Sequence, residues 1–219
     1  MTLTWFLRRS CMLALAAIGV AVPAHANLLT NGSFEFGNFV PDAQDTMSLS
    51  PGATDMTGWT VQNAALAWIG PSNPFGLLAS DGNYFLDLSG YHDNAPYGGV
   101  LQSQTISTTI GAEYRLTFDI GTDPQYDTAP VSVQVTAGSA SATFTSTPII
   151  PNQWESFTFD FFATSANTAI SLIGQASTDE KYLGLDNVNL IVVPEPSTLT
   201  LLAGPGLLVF AVWRRFRKA

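Results

Sequence analysis

The chain has 219 residues, of which 46% are hydrophobic and 11% charged, and its formal net charge is −9 at pH 7. Six of its eight basic residues belong to the two ends, so residues 27–193 hold only Arg115 and Lys181 against sixteen acids, a net charge of −14. This part of the chain lacks the clustered Lys and Arg with which proteins bind nucleic acid or anionic lipid. Its acids favour divalent-cation binding or, more simply, the solubility of an exported protein.

The N-terminal end has the three parts of a secretory signal peptide. Arg8 and Arg9 are the positive part, residues 12–22 the apolar part, and Ala24-His25-Ala26 fits a cleavage site. Residues 1–26 are therefore predicted to be a signal peptide, with a mature chain that begins at Asn27. Cys11 is the only cysteine and precedes the apolar run, which argues against a lipoprotein and leaves the mature chain without a thiol.

Residues 27–193 are long enough for one domain with a hydrophobic core. Apolar and polar residues alternate most clearly at 114–120, 131–136 and 156–161, the period-2 pattern of strands with one buried face. Further strands are predicted around 59–69, 84–88, 100–107, 142–145, 169–173 and 182–192, with Gly, Pro, Asn and Asp between them. The pattern predicts an all-β domain, an antiparallel β-sandwich of jelly-roll type.

The last predicted strand changes phase. Its apolar residues are odd-numbered at first and even-numbered later: Leu183 and Leu185, then Val188, Leu190 and Val192. Because a slip of one residue moves every side chain to the other face, the strand must absorb an extra residue near Asp186-Asn187. Such a β-bulge would turn the Asp186 carboxylate out of the regular alternation, toward whatever it binds.

Residues 194–219 consist of a short motif, Pro194-Glu195-Pro196, an apolar segment at 198–213 and a basic tail from Arg214. The basic tail would hold the end of the apolar segment on the cytoplasmic side of a membrane. This order of parts resembles the PEP-CTERM sorting signal of Gram-negative bacteria, which an exosortase processes. The resemblance implies a transient transmembrane helix in the inner membrane, and then delivery to the cell surface or the extracellular matrix.

The alternative for the same segment is a permanent membrane anchor. Ser197 to Trp213 would form a helix of ~25 Å, short of the ~30 Å hydrocarbon core of a bilayer. Gly204-Pro205-Gly206 also interrupts it. Both features suit a processed anchor better than a permanent one.

The two ends of the mature domain, Asn27–Glu35 and Gly184–Val188, resemble those of DUF642-type proteins and of carbohydrate-binding modules with a galactose-binding-like jelly roll. Segments between them are similar too, at 58–60, 85–90, 99–102 and 114–119. The resemblance implies a structural calcium ion held by Glu35 and Asp186, because Ca²⁺ prefers carboxylate and carbonyl oxygens. The alternative makes both residues ordinary turn residues, since no dense Asp-rich calcium loop is present.

A carbohydrate site needs exposed aromatic rings beside amides or carboxylates. The candidates lie in or beside three predicted loops. Two loops contain them, Tyr91, His92, Asp93, Asn94 and Tyr97 in one and Tyr126 with Asp123 and Asp127 in the other, whereas Trp68 and Phe75 flank the third. Trp59 and Trp154 fit positions of the resembled family that pack in the core. The alternative is that the loop tyrosines only cover strand ends.

An enzyme is disfavoured, and no catalytic residue is predicted. His92 is the only histidine of residues 27–193, which excludes a multi-histidine zinc site, and no Gly-x-Ser-x-Gly motif presents a nucleophile. Two functions stay open: a structural component of exopolysaccharide or biofilm, and a carbohydrate-binding module for a specific glycan. The expected partners are an exosortase-like enzyme and an extracellular polysaccharide, with no nucleic acid and no cofactor besides calcium.

Overall fold

The computed structural model of the chain describes residues 26–90, 96–123, 130–147, 153–175 and 182–194. Within these ranges, no helix is long and apolar enough to cross a membrane. The predicted signal peptide, Glu195, Pro196 and the apolar segment at 198–213 lie outside them.

Thirteen strands form in this part of the chain. They are β1 (Thr46–Leu49), β2 (Trp59–Gln62), β3 (Leu66–Ile69), β4 (Phe85–Asp87), β5 (Gly99–Gln102), β6 (Ile106–Ser107), β7 (Glu113–Thr122), β8 (Val131–Ala137), β9 (Ala140–Ser146), β10 (Gln153–Phe162), β11 (Asn167–Thr168), β12 (Ile170–Gln175) and β13 (Gly184–Val192).

The strands form two antiparallel sheets that pack face to face. One sheet has six strands in the order β1-β3-β4-β13-β7-β10, and the other has five in the order β2-β5-β12-β8-β9. A short pair, β6 and β11, lies at one end. The predicted antiparallel β-sandwich is therefore confirmed.

The alternation along the strands fills the space between the sheets. Val131, Val133 and Val135 of β8 are buried in the main core, and so are Trp59 and Phe118. A second, smaller cluster lies on the outer face of the six-stranded sheet, where Leu77 covers Phe85 and Ala67. Trp59 is thus in the main core as predicted, whereas Trp154 packs against the smaller cluster.

Several elements, including the short strand β11, differ from the predicted ones. The predicted strands at 59–69 and 100–107 are each two strands, because the chain turns at 63–65 and 103–105. Asn63 has a φ of 67°, a left-handed conformation that Asn tolerates and that ends β2. Strand β1 has no predicted counterpart, because its four residues are too few for a clear period.

The predicted bulge in the last strand is confirmed. Asp186 of β13 pairs with Asp119 of β7, and the next pair is Asn189 with Thr117, so two residues of β13 oppose one of β7. Asn187 takes up the extra length with a φ of 52°. The bulge brings Val188 back to the core.

Candidate functional site

Glu35 lies in a loop that the side chain of Asn31 holds in place through hydrogen bonds. The Asn31 amide donates to the carbonyls of Phe36 and Thr57 at 2.8 and 3.0 Å, and its oxygen accepts the Phe36 N–H at 3.0 Å. The Glu35 Oε1 accepts the backbone N–H groups of Asn83 and Tyr84, both at 2.8 Å. Its Oε2 accepts the Asn83 side-chain amide at 3.3 Å.

Asp186 reaches the same stretch of chain from the bulge of β13. Its Oδ2 accepts the backbone N–H groups of Ser80 and Asp81 at 2.8 and 2.9 Å, and its Oδ1 accepts that of Asn187 at 2.7 Å. The side chain is fully buried. The pKa of Asp186 is raised to about 7, chiefly by burial and to a smaller extent by the nearby charge of Asp81, and the three N–H bonds only partly oppose this rise.

Glu35 and Asp186 therefore act on one segment, residues 80–84, which we call the clamped loop. Gly82 at its centre has a φ of 77°, and a Cβ there would lie 2.4 Å from the Glu35 carboxyl carbon. Asp119 adds a third acidic contact, because its carboxylate accepts the Ser80 hydroxyl. The clamped loop thus connects Glu35, near the start of the domain, to Asp186 in the last strand.

The carboxylates of this clamp are occupied by N–H groups. Each carboxylate oxygen of Glu35 and Asp186 already accepts an N–H, whereas Ca²⁺ needs six to eight oxygens turned toward one point. Throughout the described ranges, no group of three or more His, Cys, Asp or Glu side chains is placed to hold a metal. The calcium prediction is untested, and the observed role of both residues is to bind backbone amides.

Most of the predicted sugar-binding residues cannot be placed relative to one another. Tyr91, His92, Asp93, Asn94, Tyr126 and Asp127 lie outside the described residues. Tyr97 and Trp68 were expected in exposed loops, but each is only 1% exposed because its ring packs in the main core. Asp123 is also buried, and Phe75 packs against Tyr182. For Tyr97 and Trp68 the expectation was wrong, since neither offers a ring face to a ligand.

The outward side of the five-stranded sheet has a different character. Along its strands, more buried residues alternate with less buried ones, which point outward. We call this outward surface the polar face, and its residues are Thr60, Gln62, Leu101, Ser132, Gln134, Thr136, Ser141, Thr143, Thr145, Ser171, Ile173 and Gln175. None of these twelve residues is charged. One row crosses all five strands, because Leu101 pairs with Thr60 and Ser171, and Thr136 pairs with Ser171 and Ser141.

The polar face offers hydroxyl and amide groups, each of which can both donate and accept a hydrogen bond. Ser132 and Thr145 bond to each other across β8 and β9 at 2.8 Å. The sequence contained the signal for this surface in the Ser, Gln and Thr that alternate with Val131, Val133 and Val135. The alternation predicts the strands, but it does not by itself distinguish a binding face from any other polar sheet surface.

Similar structures exist among solved proteins, although no curated protein matches the sequence. The chain is similar to TmCBM61 in complex with beta-1,4-galactotriose, with 15% identity over 76% of this chain and 99% of that one, and a TM-score of 0.47. It is also similar to a native family 35 carbohydrate binding module from Clostridium thermocellum, with 11% identity over 68% of this chain and 94% of that one, and a TM-score of 0.40. At these values neither similarity says anything about ligand or activity.

Two family descriptions match the sequence itself. The PEP-CTERM protein-sorting motif matches residues 192–218, which marks an exported protein sorted through the membrane to the cell surface. The description "Protein of unknown function (DUF642)" matches residues 27–190, which include the clamped loop and the whole polar face. The chain therefore belongs to the DUF642 family and carries a PEP-CTERM sorting signal at its C-terminal end.

Proposed function

We propose that the mature protein is a non-catalytic component of an extracellular polysaccharide layer and that it contacts polysaccharide through the polar face. The observation that carries this proposal is the lack of charge on that face. Residues 27–193 contain sixteen acids, yet none lies among the twelve outward residues of the five-stranded sheet. A surface kept free of charge in so acidic a domain suits a neutral, hydroxyl-rich partner.

The net charge of residues 27–193 limits the class of glycan. A net charge of −14 repels acidic polysaccharides, so the partner is a neutral one. Five strands spaced ~4.8 Å apart make a surface ~19 Å wide, on which an extended sugar chain can contact several rows of side chains. Contact of this kind gives many weak hydrogen bonds without a deep pocket, as a matrix component requires.

The sorting signal would bring the domain to the polysaccharide outside the cell. A processing enzyme of the exosortase type is the partner for the motif at Pro194, Glu195 and Pro196, and the exported domain reaches the polysaccharide only after this step. In the proposed function, residues 198–213 hold the protein in the inner membrane of a Gram-negative cell before processing.

The test is retention of residues 27–193 on a panel of polysaccharides, including the host's own exopolysaccharide. Ser171→Glu and Thr136→Glu place charges in the centre of the polar face and should reduce retention on neutral glycans by roughly tenfold, since each longer side chain separates the glycan from the row of hydroxyls and must lose its own hydration on contact. Thr158→Glu is the matched control, because it adds the same charge on an exposed position of β10 in the other sheet. All three variants should keep the melting temperature of the parent.

The outcomes separate the possible functions. No retention of any glycan by the folded domain, or equal losses in Thr158→Glu and Ser171→Glu, would refute the proposal. Retention of a single sugar that survives Ser171→Glu but is lost in Tyr91→Ala would support a carbohydrate-binding module that uses the 91–97 loop. Each measurement is made with calcium and with EDTA, which also tests the calcium prediction.

A further inference from the structure

The chain leaves the folded domain with almost no spacer before its apolar segment. The Val193 N–H still donates to the Glu113 carbonyl at 2.8 Å, so the sheet pairing extends one residue beyond β13. Only residues 194–197 separate this point from the apolar segment at 198–213. Four extended residues span at most ~14 Å. While the segment is in a bilayer, this end of the domain therefore lies at the membrane surface.

Two large apolar side chains are exposed at this same end. Phe162, which is 63% exposed, is the last residue of β10 and pairs with Glu113 of β7. Ile110, which is 67% exposed, precedes Gly111, and the Gly111 N–H donates to the Ala163 carbonyl at 2.8 Å. This bond places Ile110 and Phe162 on neighbouring segments. We call residues 109–112, 162–166 and 193–194 the exit rim.

The exit rim is also free of charge. None of its residues is acidic or basic, although the domain around it is strongly acidic. The nearest charges along the sheet belong to Glu113 and to the Arg115–Asp160 ion pair, whose atoms are 2.8 Å apart. With Glu113 as the one acid between its segments, and that one half-buried, the rim can approach lipid headgroups with less repulsion than the rest of the domain would meet.

We propose that the exit rim rests on the outer leaflet of the membrane that holds residues 198–213, with Phe162 and Ile110 entering the interfacial region. The occupant is the lipid bilayer itself, because the chain enters it within four residues of the rim. The contact is apolar and needs no anionic lipid. It orients the domain so that β13 meets the membrane end-on and the Pro194-Glu195-Pro196 motif lies at the membrane surface. The proposal depends on the sorting signal and not on polysaccharide binding.

The test uses the mature chain, residues 27–219, in zwitterionic lipid vesicles. Because Cys11 precedes residue 27, the mature chain has no cysteine, and a single one can be introduced and labelled with a fluorophore. Thr109→Cys places the label in the exit rim at an exposed position and leaves Ile110 and Phe162 in place. Quenching by nitroxide-labelled lipid headgroups then measures the distance of the label from the bilayer surface.

Leu78→Cys is the control label. Leu78 is 60% exposed, and its carbonyl accepts the Trp154 indole N–H at 2.8 Å. Trp154 and Phe162 are eight residues apart along β10, which places them ~27 Å from each other. We expect quenching at position 109 to exceed that at position 78 by at least about twofold, because the interfacial region is only ~5–10 Å deep.

The double variant Ile110→Ser/Phe162→Ser distinguishes the effect of the rim contact from that of the short connection, residues 194–197, which we call the tether. It should reduce quenching of the label at position 109 by about half or more while the melting temperature stays unchanged, since both side chains are exposed. Leu78→Ser should leave that quenching as it is. Unchanged quenching in the double variant would overturn the proposal, because the tether alone would then explain it. Protection of position 109 from aqueous iodide without lipid quenching would also overturn it, in favour of contact with a second copy of the chain.

Discussion

Asp186 is a carboxylate held away from water at the bulge of the last strand. Three backbone N–H groups and a neighbouring acid, Asp119, surround it. Burial disfavours its charged form, and its pKa of about 7 lies well above the ordinary value of 3.8. At neutral pH Asp186 is therefore only partly ionised, at the point where the last strand binds the clamped loop.

This carboxylate should make stability fall as pH rises from about 4 to about 7. In that range the unfolded chain has released the proton that folded Asp186 still binds, so the folded state loses up to about 1.4 kcal/mol per pH unit. The contribution is greatest below the unfolded pKa and is lost as pH passes the folded one. Denaturant unfolding in EDTA, at about pH 5 and about pH 7.5, measures the slope, and Asp186→Asn should flatten it.

Asp160→Asn is the control for the sign of that effect. Its hydrogen bond to Arg115 lowers the pKa of Asp160, so its contribution is present at neutral pH and is lost in acid. Asp160→Asn should therefore leave the fall between about pH 5 and about pH 7.5 in place. An Asp186→Asn variant with the slope of the parent would show that another group causes the pH dependence.

At the scale of elements, the clamped loop is a segment that two distant carboxylates hold in place. Gly82→Ala should destabilise the domain in two ways. The first is the left-handed φ, which costs about 1 kcal/mol for a residue with a Cβ. The second is the displacement of the Glu35 carboxylate from the N–H groups of Asn83 and Tyr84, which adds about 1–3 kcal/mol. Thermal or denaturant unfolding gives the sum.

Gly52→Ala separates these two costs. Gly52 has a similar φ of 89°, but a Cβ there would meet nothing within 4 Å, so only the backbone cost applies. In a Glu35→Ala background, Gly82→Ala should cost no more than Gly52→Ala does. Equal costs for the two glycine variants in the parent chain would mean that Glu35 does not hold the loop.

Elements with local signals were predictable, and those made by distant contacts were not. The strands β7, β8 and β10 follow from the period-2 alternation, and the bulge follows from the phase change between Leu185 and Val188. The clamped loop could not be foreseen, because its partners Glu35 and Asp186 lie 48 and 106 residues from the atoms they bind. The burial of Tyr97 could not be predicted for the same reason, since its neighbours in the core come from several strands.

At the scale of the whole molecule, the predicted mature N-terminus is fastened to the last strand. The Asn27 amide donates to the Val188 carbonyl at 3.0 Å, and its oxygen accepts the N–H groups of Leu29 and Leu190 at 3.0 and 2.9 Å. Asn27→Ala should reduce the free energy of unfolding by about 1–3 kcal/mol, because three partners lose their bond. Asn38→Ala, at an exposed position, should leave it nearly unchanged. Equal losses in both variants would contradict this role.

The last strand in the sequence is a central strand of the six-stranded sheet, because β13 pairs with both β4 and β7. Without it the sheet would divide into β1-β3-β4 and β7-β10, and the domain could not close its core. We therefore expect a chain of residues 27–193 to melt at the temperature of the mature chain, and a chain of residues 27–183 to show no cooperative transition. A cooperative transition in the shorter chain, seen by calorimetry, would refute this. If this transition is absent, the domain completes its folding only after Val193 has been exported. At that point only residues 194–197 remain before the apolar segment.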